Sequence, residues 1–151
     1  MRIYLPASLD QLEPASGPLT PRRAHAVTPA LRAMFPDEDD EGLEYAAQLA
    51  AADDSLALLA DAPEAPQLRC VVSVDVADAA VAVVSGDDDV PSAVELTRAV
   101  PQSDVICAHV DEPGAAADVT LAAAGDEAAG ERLDERDLLW YDASELPDVP
   151  R

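Results

Sequence analysis

Arg22, Arg23 and His25 crowd the stretch "PRRAHAVTP" at 21–29, and Arg32 lies one helical turn past Thr28. Four groups able to carry positive charge thus fall within eleven positions of a chain that has nine arginines and no lysine. Thr28 followed by Pro29 is a helix start, a capping hydroxyl ahead of a proline at the first helical position. Helix N-termini offer free N–H groups to anions, and arginine adds planar bidentate donors. Arg22, Arg23, His25, Thr28 and Arg32 are therefore the candidate anion-binding set, suited to a small phosphate or carboxylate. The competing expectation is that these arginines pair with the surrounding acids.

Other constellations are incomplete. Asp37, Asp39, Glu41 and Gly42 occupy positions 1, 3, 5 and 6 of a calcium-loop template, but position 8 is Glu44 and position 12 is Gln48 instead of a bidentate Glu. Glu41 and Glu44, with Asp53 and Asp54 further on, suggest a helical magnesium site, yet the second acidic pair lacks the required spacing. Cys107, His109 and Asp111 alternate along an expected strand and so share a face, where a Cys–His pair would make a nucleophile and base. The alternative there is a core cysteine with a histidine near the sheet edge.

Several chemistries are excluded outright. Without lysine there is no P-loop lysine, Schiff base or Ser-x-x-Lys nucleophile. Two histidines and two cysteines outside any paired motif cannot build a four-ligand zinc site. No G-x-G-x-x-G or G-x-S-x-G motif is present. No catalytic residue, metal or cofactor is assigned on these grounds.

The net charge of −22, from 31 acids against nine arginines, repels nucleic-acid phosphates and anionic membranes, so neither is an expected partner. A basic protein is the partner such a surface suits, and either a monomer or a homodimer fits. The N-terminus has no charged stretch leading into an apolar run, and no segment is long and apolar enough to span a bilayer. The expectation is a cytoplasmic protein in which Cys70 and Cys107 are reduced thiols.

The elements that must position these residues follow from periodicity. Strands are expected at 2–6, stopped by Pro6, and at 23–27, 68–76, 81–85, 94–100 and 104–110. Ser8 is expected to cap a short helix over 9–13, and the loop at 86–92 punctuates the strands on either side. The longest helix follows the acidic run 37–41, with Tyr45, Leu49, Ala52, Leu56 and Leu59 as its buried stripe. An Ala-rich helix at about 115–124 precedes an acidic, glycine-containing loop and a last strand at "LLWY", 138–141. There Trp140 and Tyr141 are expected in a strand buried on both faces, the clasp of the fold, with a ligand platform as the alternative; Asp142 or Ser144 then caps a short turn that Pro147 ends. The order argues a single α+β domain over 1–151: a layered sandwich with a mixed or mostly antiparallel sheet of five to seven strands, one long helix and two or three shorter ones.

Taken together, "MRIYLPASL", "HAVTPALR", "EYAAQLAAADDSLALL" and "LLWYDASEL" resemble an uncharacterised family of short acidic proteins from high-GC actinobacteria, and the likeness runs over nearly the whole chain. The resemblance implies a bacterial cytoplasmic protein of unknown function and carries no catalytic residues. The expected role is a non-enzymatic interaction or regulatory module. The alternatives are a binder or hydrolase using Arg22, Arg23 and His25 on an anionic ligand, and a homodimeric structural protein.

Overall fold

The computed structural model describes residues 1–84 and 90–151. Residues 85–89, which include most of the loop expected at 86–92 and the last residue of the strand expected at 81–85, lie outside it. Seven strands, β1 (Arg2–Ala7), β2 (Arg22–His25), β3 (Cys70–Asp75), β4 (Val81–Val83), β5 (Ala93–Leu96), β6 (Val105–Val110) and β7 (Leu139–Asp142), form one sheet in the order β4-β5-β2-β1-β3-β6-β7. Every pairing among the described residues is antiparallel. With α1 (Pro29–Met34), the long α2 (Asp40–Ala60), α3 (Ala116–Ala123) and α4 (Glu127–Asp134), the fold is α+β.

β1 runs one residue past the expected stop, through Pro6. Met1 and Val76 exchange both backbone hydrogen bonds, so by alternation Ile3, Leu5 and Ala7 direct their N–H groups at β3. Pro6, which has no N–H, therefore faces β2, where pairing with β1 is limited to Tyr4 and His25. Its carbonyl accepts from the Arg22 guanidinium instead (3.1 Å). The proline costs the ladder nothing.

Alternation gives the sheet two unlike faces. Ile3, Leu5, Val72, Val74, Val94 and Leu96 pack under 3-10 turns and loops contributing Leu9, Leu12, Leu19, Val100 and Val149. On the other face Tyr4 and Val71 meet Leu31 of α1 and Leu43, Ala47, Ala51 and Ala52 of α2. β3 is buried on both faces, which is why its valines run almost without a break.

The buried stripe of α2 differs from the expected one. Leu43, Ala47, Ala51, Ser55 and Leu59 recur every fourth residue against the sheet, whereas Tyr45 and Leu49 are exposed. Small side chains let the helix approach closely enough for the Ser55 hydroxyl to donate to the Ala7 carbonyl (2.8 Å) and to accept from the Cys70 N–H (3.0 Å). Tyr45 and Leu49 thus point away from the contact line, which carries leucine only at its two ends, Leu43 and Leu59. Tyr45 is not part of the core.

The region expected to be a loop after α3 holds α4. Gly125, at φ 98, ends α3, and Asp126 caps α4 by accepting from the Ala129 N–H (2.9 Å). Leu59, Ala115, Val119 and Leu133 lock this helical pair onto α2. The short helix expected over 9–13 is a single 3-10 turn, Leu9–Leu12, and Ser8 precedes it without capping it through its side chain.

Candidate functional site

The five candidate anion-binding residues do not meet in one pocket. Arg22 and Arg23 are neighbours on β2 and so lie on opposite faces of the sheet. The Arg22 guanidinium donates to Gln11 Oε1 (2.8 Å) and to the Pro6 and Thr20 carbonyls, and burial lowers its pKa. Arg23 pairs with Asp54 (3.2 Å), and Arg32 with Asp40 (2.7 Å) at the surface. Thr28 caps α1 as expected, accepting from the Leu31 N–H (3.1 Å) while its hydroxyl donates to the Pro91 carbonyl.

His25 is 0% exposed and sits in a relay. Asp54 Oδ2 accepts from its Nε2 (2.8 Å), and Ser92 Oγ lies 2.8 Å from Nδ1. Burial alone would raise the Asp54 carboxyl, but the hydrogen bond and charge of His25, with the charge of Arg23, hold it below its usual range. The serine–histidine–aspartate order is that of a hydrolytic triad, yet Ser92 is 1% exposed. With that hydroxyl covered, the relay is a polar tie between β2, α2 and the segment entering β5. Asp53, next on α2, is raised by burial and by the Asp134 charge, so the two adjacent aspartates are pushed in opposite directions.

A larger opening lies at the other end of the helical face. A groove of about 590 Å³ runs between the first turns of α2 and strands β1, β3, β6 and β7. Its aromatic lining is Tyr4, Tyr45 and Trp140, and its carboxylates are Asp39, Glu41 and Glu44. Cys107 and His109, next but one on β6, share its floor with Ser73. The alternation read from the sequence thus holds for these two, while Asp111 is drawn aside into a buried pair with Arg69, whose Nε and Nη2 donate to its two oxygens (2.8 and 2.9 Å).

Three features set the chemistry of this groove. First, Trp140 is 58% exposed and Tyr45 51% exposed, so both present ring surface to solvent. Trp140 is therefore not buried on both faces of the last strand; it lies opposite His109 on an edge strand, and Tyr141, on the other face, is the one that packs on the core. Second, the cation in the lining, Arg2, is already engaged: Asp75 accepts from its Nε and Nη2 (3.0 and 3.1 Å), and that hydrogen bonding raises its pKa. The three groove carboxylates are thus in excess. Third, burial pushes the Tyr4 hydroxyl up to about 12, helped by the nearby Glu44 charge, and burial lowers the pKa of His109. At neutral pH the groove holds neutral aromatic and imidazole groups below anionic ones.

The acidic run before α2 serves the helix. Asp39 caps it, accepting from the Gly42 N–H (2.9 Å), and among the described residues no three His, Cys, Asp or Glu side chains gather as a metal would need. Both cysteines are free, and Cys70 is pushed up to about 12 by burial, aided by the Asp111 charge. Among the described residues no helix is long and apolar enough to cross a membrane. Sequence reasoning missed the groove because its aromatic residues lie on three separate elements; the exposed pairing of Trp140 with an acidic helix start was the available signal.

No curated protein and no solved structure matches the chain. A profile described as a family of unknown function (DUF6912) matches residues 1–149, and the chain belongs to that family.

Proposed function

We propose that this member of a family of unknown function is a binding module that docks a basic segment of another protein in the groove between α2 and the β6–β7 edge. The observation that carries the reading is the conjunction of two half-exposed aromatic side chains, Trp140 and Tyr45, with three carboxylates whose nearest cation is already paired. Aromatic faces and carboxylates both attract cations, and the net charge of −22 extends that attraction beyond the groove. Binding without turnover fits the burial of Ser92 and His25, which covers the Ser–His–Asp relay. Two free cysteines fit a reducing compartment, where such a partner would be sought.

The test is a titration of isotopically labelled protein with a short arginine- and lysine-rich peptide at low ionic strength, against an acidic peptide of equal length. The expected result is saturable binding of the basic peptide alone, with amide shifts concentrated at 39–48 and 138–142. Absence of binding, or shifts confined to another surface, removes the proposal.

A further inference from the structure

We propose that the groove seats one arginine guanidinium of the basic partner, stacked on Trp140 and hydrogen-bonded to Nδ1 of His109. This deepens the docking reading above and rests on it.

The floor of the groove supplies the first argument. His109 Nδ1 is buried and has no hydrogen-bond partner. Buried polar atoms are nearly always satisfied, so an unpaired nitrogen on a side chain that lines the groove marks a place where a ligand atom belongs. The cation beside it, Arg2, is already committed to Asp75. In the neutral tautomer that carries its proton on Nε2, Nδ1 presents a lone pair, and the partner it takes is an N–H or O–H donor.

The walls narrow the donor. Asp39, Glu41 and Glu44 select a cation, and Trp140 and Tyr45 offer faces to it. A quaternary ammonium would satisfy the faces but has no hydrogen for His109. A lysine ammonium has donors, but it is a compact, strongly hydrated charge that gains little from an open groove. A guanidinium is planar, weakly hydrated and carries five donors in a fork, so it can stack on the indole while donating to His109 and to a rim carboxylate together. The groove volume of about 590 Å³ holds one such side chain with the backbone of its flanking residues.

The experiment uses three capped peptides that differ only in one central residue: arginine, lysine or trimethyl-lysine. Binding is followed by calorimetry and by the emission of Trp140, the sole tryptophan. The expected order is arginine tightest and trimethyl-lysine weakest. Trp140→Ala should weaken the arginine peptide by about two- to thirtyfold, with Trp140→Phe retaining part of the affinity. His109→Leu should weaken it too, while His109→Gln, which keeps an acceptor, restores it; melting curves establish that each variant is folded. If the three peptides bind alike, or Trp140→Ala binds the arginine peptide as well as the parent, the guanidinium assignment falls while the docking reading stands. If no basic peptide binds at low salt, both fall.

Discussion

Asp111, just past the end of β6, and Trp140, on β7, differ in what they contribute to stability. Asp111 is buried, and it accepts from the Arg69 backbone N–H as well as from two guanidinium nitrogens, while Arg69 also reaches the Leu133 carbonyl of α4. Removing the aspartate leaves a buried, uncompensated guanidinium, and Asp111→Ala should lower the unfolding free energy by about 3–5 kcal/mol in urea titrations. Trp140→Ala, at an edge-strand position whose ring is mostly solvated, should cost less than about 1 kcal/mol in the same experiment. The sequence suggested the reverse weighting, because a lone tryptophan in an alanine- and valine-rich chain reads as core. That Cys107 and His109 would share a face was legible, since a strand's period of two needs no distant information. The relay of Ser92, His25 and Asp54 was not, because its partners stand 67 and 29 residues from the histidine in the chain.

Among the elements, those with a strong local period or a cap were legible and those held by contacts elsewhere were not. Thr28–Pro29 announces α1, and the valine run announces β3. The α2 stripe was misread because periodicity gives weight to the largest side chains, while the sheet selects the smallest, the alanines that permit close approach. α4 was read as loop because it contains Gly130 and alternating acids, and its only buried anchors are Ala129 and Leu133. The signal that remained was Gly125 followed by Asp126, a helix stop beside a helix cap. Because α4 has so little apolar surface to hold it, the cap matters more than usual. Asp126→Ala should lower stability by about 1 kcal/mol and raise the amide exchange rates of 127–134 ahead of those in β3.

Across the whole molecule, strand order was the least legible property, since β1 lies at the centre of the sheet beside β2 and β3 while the last strand lies at an edge. Such pairings are chosen by tertiary packing, and composition is silent on them. Composition does speak about charge. Most of the arginines are spent on ion pairs, such as Arg2 with Asp75 and Arg132 with Asp118, and the 31 acids far outnumber them. The excess has two consequences of opposite sign. Acids crowded on one folded surface repel each other, which works against the compact state, while under the proposed function the same field would draw a basic segment to the groove. Salt screens both, shrinking the reach of a charge from about 10 Å at 0.1 M to about 3 Å at 1 M. The melting temperature should therefore rise with sodium chloride over that range, and the affinity for an arginine-containing peptide should fall. Measured on one preparation, the two slopes separate the general field from the groove. Glu44→Gln should reduce the salt dependence of peptide binding and leave that of melting almost unchanged, because one charge among so many alters self-repulsion little but is a large part of what faces the ligand. A melting temperature flat in salt would show that the acidic surface is no burden to the fold, and a peptide affinity flat in salt that it is not the source of attraction for a cation.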